Sequence, residues 1–283
     1  MDYEKRGYLT ANFRLFHISD VSDKEFDYHY HEFDKIVILK SGDVKYIVEG
    51  SAYQLKPWDA VLVRRNEIHR PVISPTVRYD RYVIYITPSY ISRQGDDAQQ
   101  LSACFEQASR NGEHVVDLSD RRIKAVLENL EQAVKSEEYA AGLYASALFV
   151  QLMVLVNRSV LEEKAQTANG DDRIAKIVRF INDHLTEEMT IERISKQFFI
   201  SRYHLMRLFR DATGETIHSY VRKKRLLRAA ELLHQGVPVL KASEECGFSE
   251  YSTFSRAFKT LYGCSPTELS AADDYAVNDI FDY

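Results

Sequence analysis

Leu205-Met206-Arg207-Leu208-Phe209-Arg210 returns forty-nine positions later as Phe254-Ser255-Arg256-Ala257-Phe258-Lys259, with apolar and basic positions in the same register. Each copy runs on to a glycine, Gly214 or Gly263, and two residues later to a small hydroxyl residue, Thr216 or Ser265. A glycine after an apolar run of helical spacing stops a helix, since it takes left-handed backbone without steric cost. The repeat therefore implies the same helical unit built twice.

Each unit reads as a short helix, a turn and a longer helix. In the first, Thr190 caps Ile191 to Gln197, the turn is Phe198-Phe199-Ile200, and Ser201 caps the second helix. Its Leu205, Leu208 and Phe209 fall on one stripe and leave Arg202, Tyr203, Met206 and Arg210 facing out, with Arg207 at the edge. In the second unit Pro238 stands early in a helix, Val239, Ala242 and Ser243 point inward, Cys246-Gly247-Phe248 turns, and Ser249 is the expected cap. Phe254, Ala257 and Phe258 form its stripe, and Glu250, Tyr251, Ser252, Ser255, Arg256 and Lys259 face out. A helix from Thr216 to His234, with the basic run Arg222-Lys223-Lys224-Arg225, spaces the two units.

Charge is partitioned along the chain. The whole carries −5, whereas residues 173–270 hold 16 Lys and Arg against 11 Asp and Glu, a local +5. The positive segment is the one with the repeat, which points to a polyanion as its partner. Major-groove faces recur about every 34 Å, so two linked helices can read successive turns of one duplex. The outward residues above supply guanidinium forks for guanine and polar tips for phosphate; Arg222 is expected to meet phosphate or to be a solvated helix face.

Residues 173 to 269 resemble the paired helix-turn-helix domain of the AraC/XylS transcriptional regulators. The most specific part is Gly247-Phe248-Ser249-Glu250-Tyr251-Ser252-Thr253-Phe254-Ser255-Arg256-Ala257-Phe258-Lys259, continuing to Gly263-Cys264-Ser265-Pro266-Thr267-Glu268. By that resemblance Ser201–Asp211 and Glu250–Tyr262 are recognition helices. Ser195 and Ser243 stand where the family often has alanine, and Met206 is a poor hydrogen-bonding reader. The resemblance further implies double-stranded operator or promoter DNA as partner, RNA polymerase as a second, activation among its outcomes, and a small-molecule effector, a sugar being one candidate.

The other half has a different texture. Ile36-Val37-Ile38-Leu39, Tyr46-Ile47-Val48, Ala60-Val61-Leu62-Val63 and Tyr82-Val83-Ile84-Tyr85-Ile86 are short apolar runs broken by Gly, Asp, Ser and Pro, which reads as a small antiparallel β-barrel. Helical spacing follows at Leu101–Ser109, at Ser119–Ser136 with Ile123, Val126, Leu127, Leu130 and Val134 inward and Ser119 or Asp120 as cap, and at Tyr139–Leu161, apolar on more than one face. The last two helices either cover the barrel or form a subunit interface; family resemblance favours an antiparallel helix-pair homodimer.

His29-Tyr30-His31 and His69 resemble the two motifs of the cupin barrel, but the expected glutamate is missing, since Glu32 and Asp34 stand at the wrong spacing. A sensor pocket is expected rather than a catalytic metal, lined by His29, His31, Tyr46, Trp58, His69 and Arg81. No metal, other cofactor or enzymatic activity is expected.

The predicted fold is thus α+β in two domains: a cupin-like barrel with two interface helices (1–161), a linker (162–172), an all-α DNA-binding domain (173–270) with helix-turn-helix motifs at about 190–211 and 238–262, and an acidic tail (271–283). Cys104, Cys246 and Cys264 lack metal-like or disulfide-framework spacing. The N-terminus lacks a signal-peptide pattern and no run approaches eighteen uninterrupted apolar residues, so a cytoplasmic protein without a membrane partner is expected. Three functions fit: an effector-controlled regulator, a DNA-binding protein whose barrel only dimerises, and a cupin metalloenzyme fused to a DNA-binding domain.

Overall fold

The computed structural model describes residues 4–5, 9, 11–21, 25–91, 101–162 and 172–271; the middle of the expected linker and the acidic tail lie outside the described residues. The chain divides into two compact units that part between positions 170 and 171.

The first unit runs β1 (Glu4–Lys5), β2 (Phe13–Asp20), β3 (His29–Tyr30), β4 (Asp34–Ser41), β5 (Val44–Val48), β6 (Ser51–Gln54), β7 (Asp59–Val63), β8 (His69–Ile73), β9 (Tyr79–Ile86), α1 (Pro88–Ile91), α2 (Ala103–Asn111), β10 (Val115–Asp117), α3 (Arg121–Ala133) and α4 (Ala141–Glu162). Its strands form two five-stranded sheets, β1-β3-β8-β5-β6 and β10-β7-β4-β9-β2. Apart from the parallel β1–β3 pair, neighbours are antiparallel.

The run Ile36-Val37-Ile38-Leu39 shows why β4 lacks alternation. Val37 and Leu39 join Val44, Tyr46, Val48 and Tyr53 in a core shared by the two sheets. Ile36 and Ile38 pack on the other face with Leu127, Leu130, Phe149, Leu152 and Met153 of α3 and α4. A strand covered on both faces needs apolar residues at every position. The predicted barrel is therefore realised as two facing sheets, one of them roofed by helices.

Asp120 caps α3 by accepting from the Arg122 amide, and Val134, expected inward, follows the last turn and is 40% exposed. The predicted breadth of α4 is real but only one side is covered. Ala145, Leu148, Phe149, Leu152, Met153 and Val156 are buried, while Leu143, Tyr144 and Leu161 are exposed. Its segment Ala141–Leu161 is long and apolar enough to cross a membrane by length and composition, and it packs on α3, α2 and β10.

The second unit is helical: α5 (Asp172–Asp183), α6 (Ile191–Gln197), α7 (Arg202–Thr213), α8 (Ile217–His234), α9 (Val239–Glu245), α10 (Tyr251–Tyr262) and α11 (Pro266–Ala271). Helix α8 contacts α5, α7, α9, α10 and α11, which accounts for its buried residues lying all round, from Ile217 and Tyr220 to Leu232 and Leu233. It is the spine on which both repeated units rest.

Candidate nucleic-acid interface and effector site

The repeat seen in the sequence is a repeat of helix ends. Helices α7 and α10 are each 12 residues long and each stops at a left-handed glycine, Gly214 at φ 78° and Gly263 at φ 74°. The Thr190 hydroxyl accepts from the Arg193 amide at the start of α6, and the Ser201 hydroxyl from the His204 amide at the start of α7. In the second unit the expected Ser249 cap is displaced by one residue: Glu250 is the N-cap of α10, without a side-chain cap bond. Pro238 likewise stands at the N-cap of α9 rather than inside it.

Burial of Leu205 and Phe209, and of Phe254 and Phe258, fixes which faces of α7 and α10 look out. Arg202, Tyr203, Met206, Arg207 and Arg210 are exposed on α7; Glu250, Tyr251, Ser252, Arg256 and Lys259 are exposed at α10, with Ser255 half-buried. Two of the arginines are already engaged. Arg202 donates to the Glu192 carboxylate of α6 at 2.5 Å, and Arg256 Nε donates to the Ser252 carbonyl at 3.2 Å. Both contacts are exposed, so water or phosphate can exchange with them at small cost.

The basic run on α8 divides its work. Arg222 is exposed. Lys223 is buried and pairs with the buried Glu215 at 2.6 Å. Arg225 gives its donors to three carbonyls, Leu185 at 2.6 Å, Glu187 at 2.7 Å and Gly247 at 2.8 Å. One guanidinium thus joins the loop before the first unit to the turn inside the second. The sequence shows a basic run but not which members are consumed internally.

In the first unit the structure gathers His29, His31 and His69 from the region of β3 and β8. Their rings lie 4.4–5.1 Å apart, and all three are buried. Tyr46 stacks on His69 at 6.1 Å and Phe33 on His31 at 4.5 Å. The Nδ1 of His29 bonds the Asp27 carbonyl and that of His69 the Glu67 carbonyl, both at 2.9 Å. A carbonyl only accepts, so each Nδ1 carries a proton, which turns Nε2 of each ring toward the interior of the group.

Lys35, which the sequence reading missed, belongs to this site: its Nζ is 3.5 Å from His69 Nε2 and 5.9 Å from the Tyr85 ring centre. The signal was its parity, since Lys35 shares the inward face of Val37 and Leu39. Burial, and then the Arg81 charge, bring the Lys35 ammonium down to about 7. Burial also drives His69 well below the ordinary histidine range, helped by His29, Lys35 and His31, and drives the Tyr46 phenol well up. Arg81 sits at the margin, paired with Asp20, donating to the Tyr79 carbonyl and lying over the Tyr79 ring.

Trp58 does not join the group. It adopts φ 73°, packs against the helix-side core and carries Lys124 over its ring at 4.4 Å. Its place at a turn before β7 sends the side chain to the roofed face, so Trp58 is withdrawn from the pocket residues.

The sequence model of the family described as AraC-like ligand binding domain matches residues 15–153, and that described as helix-turn-helix domain matches residues 194–272. The HTH-type transcriptional activators RhaS of Salmonella typhimurium and of Salmonella newport are each 28% identical over 257 residues, covering 88% of this chain and 89% of theirs. Among solved structures, ToxT from Vibrio cholerae is 17% identical and covers 92% of this chain and 98% of its own, with a TM-score of 0.37. The DNA-binding domain of AdpA in complex with a target DNA is 27% identical over 36% of this chain and 92% of its own, with a TM-score of 0.34.

Proposed function

The chain belongs to the AraC/XylS family of transcriptional regulators, and from that premise we propose that it is a homodimeric, cytoplasmic activator without catalytic activity, which lays α7 and α10 into successive major-groove faces of its operator. Binding of DNA through a helix-turn-helix unit and control by an effector in an AraC-type ligand-binding unit follow from the family. What carries the finer reading is the duplication itself. Two helices of equal length, with equal ends and solvent-facing arginines, rest on one spine and are tied by Arg225. Activation is argued from the RhaS relatives, which are activators, and RNA polymerase is then the partner that reads the bound complex.

The base-reading residues are Arg202, Tyr203, Met206, Arg207 and Arg210 of α7, and Glu250, Tyr251, Ser252, Ser255, Arg256 and Lys259 at α10. Arg222, exposed on α8, is the phosphate contact in this reading. Full-length protein titrated onto a site selected from random duplexes separates these roles. Arg256→Ala should weaken the selected site by about 1–3 kcal/mol and relax its sequence preference. Arg222→Ala should weaken selected and scrambled duplexes alike and lower the salt slope by about one. Equal binding of wild type and Arg256→Ala across a salt series removes α10 from the interface.

The effector group comprises His29, His31, Tyr46 and His69, with Arg81 at its edge and Lys35 added. The exposed side of α4 supports the homodimer, because an apolar stripe of this length on a DNA-binding protein is best covered by its own symmetry mate.

A further inference from the structure

Imidazole nitrogens converge in the core of the first unit. One ligand atom from each of His29, His31 and His69 lies within 4.8 Å of the others, and all three residues are buried. Two of the rings are oriented by Nδ1–H bonds to backbone carbonyls. That is the arrangement in which an imidazole is held as a ligand, with tautomer and ring plane both set from behind. Among the described residues no carboxylate joins the cluster, and a set of neutral imidazoles suits borderline first-row transition ions rather than calcium or magnesium.

The fit is close but not closed. Nitrogens bound tetrahedrally at about 2.1 Å lie about 3.4 Å apart, so the rings must draw in by roughly an ångström. Strand β3 is only two residues long and pairs with β8 at a single register position, His29 opposite His69; it can follow such a movement. The main obstacle is Lys35, whose Nζ already lies 3.5 Å from His69 Nε2. Held there, the Lys35 amine occupies the His69 nitrogen, so ion entry requires Lys35 to swing away.

We infer that the effector site of this regulator is a three-histidine site for a divalent transition-metal ion, with Lys35 as its built-in competitor. The inference rests on reading the first unit as the effector domain, and it replaces the sugar expected from resemblance by an ion. Three protein ligands leave an outer position for water or a small anion, so the ion is read as bound or absent without any covalent chemistry.

Untagged full-length protein stripped with chelator and titrated with Co²⁺ and Zn²⁺ provides the test. Wild type should take up one ion per chain, with visible Co²⁺ absorption of a nitrogen-ligated site, and its affinity for the selected duplex should change on uptake. His69→Gln should abolish stoichiometric uptake while remaining folded by circular dichroism. Lys35→Met should bind the ion about tenfold or more tightly, a gain that misfolding does not imitate. Uptake that is absent in wild type, unchanged in His69→Gln and Lys35→Met, or without effect on duplex affinity overturns the inference. Those results leave effector control open to an organic ligand; loss of all duplex preference under every condition strikes the regulatory reading instead.

Discussion

Asp34 shows how much a single buried charge can tell. It is 2% exposed, accepts from the Arg65 amide at 2.8 Å, and lies at the start of β4. Burial outweighs that hydrogen bond and the nearby Arg65 and Arg64 charges, and brings its carboxyl up to about 6. The sign of the linkage follows. Between the unfolded value near 3.8 and about 6 the native state holds the extra proton, so stability falls as pH rises through that window and stays lower above it. Asp34→Asn keeps an acceptor for the Arg65 amide and removes the charge. The variant should be more stable than wild type at pH 7 by on the order of 1–3 kcal/mol, with the gain disappearing below about pH 4. Urea unfolding at pH 4 and pH 7.5 checks this; an equal difference at both values would show that the carboxylate is not titrating in the folded protein.

At the scale of elements, the parts that were legible in the sequence are those whose signal is local. Helix ends declared themselves through Thr190, Ser201, Gly214 and Gly263, since capping depends on residues within one turn. The outward faces of α7 and α10 followed from the spacing of Leu205, Phe209, Phe254 and Phe258. What stayed hidden depends on distant chain segments. Lys223 and Arg225 read as part of a basic run, and only tertiary packing supplies Glu215 and the three carbonyls that absorb them. Trp58 went astray for a similar reason: its left-handed turn, not its place in the sequence, decides which side of the sheet it joins. Lys35 was passed over inside an apolar strand. Two glycines separate local from tertiary constraint. A Cβ on Gly263, at φ 74°, meets nothing within 4 Å, whereas one on Gly247, at φ 78°, would lie 2.8 Å from the Thr186 carbonyl oxygen and 3.1 Å from Arg225 Cζ. Gly263→Ala should therefore cost only the backbone penalty, about 1–2 kcal/mol, and Gly247→Ala clearly more, with loss of the Arg225 tie. Thermal melts of the two variants measure the contrast; equal losses would mean that the Gly247 turn relaxes freely.

For the whole molecule, net charge and symmetry act together. The chain as a whole carries −5, so its attraction to DNA is confined to the positive second unit and is strongly screened by salt. On the proposed reading, one chain with two short recognition helices would gain much from a partner that supplies two more, because the second engagement becomes intramolecular. The stripe that would bring the copies together is on α4, where Leu143 is 74% and Leu161 72% exposed, opposite the buried Phe149 and Met153. Replacing Leu143 and Ala147 by aspartate puts two charges on that stripe and leaves the buried side untouched. The double variant should sediment as a monomer with an unchanged circular dichroism spectrum. Its affinity for a duplex with two half-sites should fall by about 10²–10⁴-fold, the usual gain from linking two binding events, whereas affinity for a single half-site should not move. The control lies in that second duplex: a loss on both would mean damage to the readers, and a dimer that persists with full affinity would place the subunit contact elsewhere than α4.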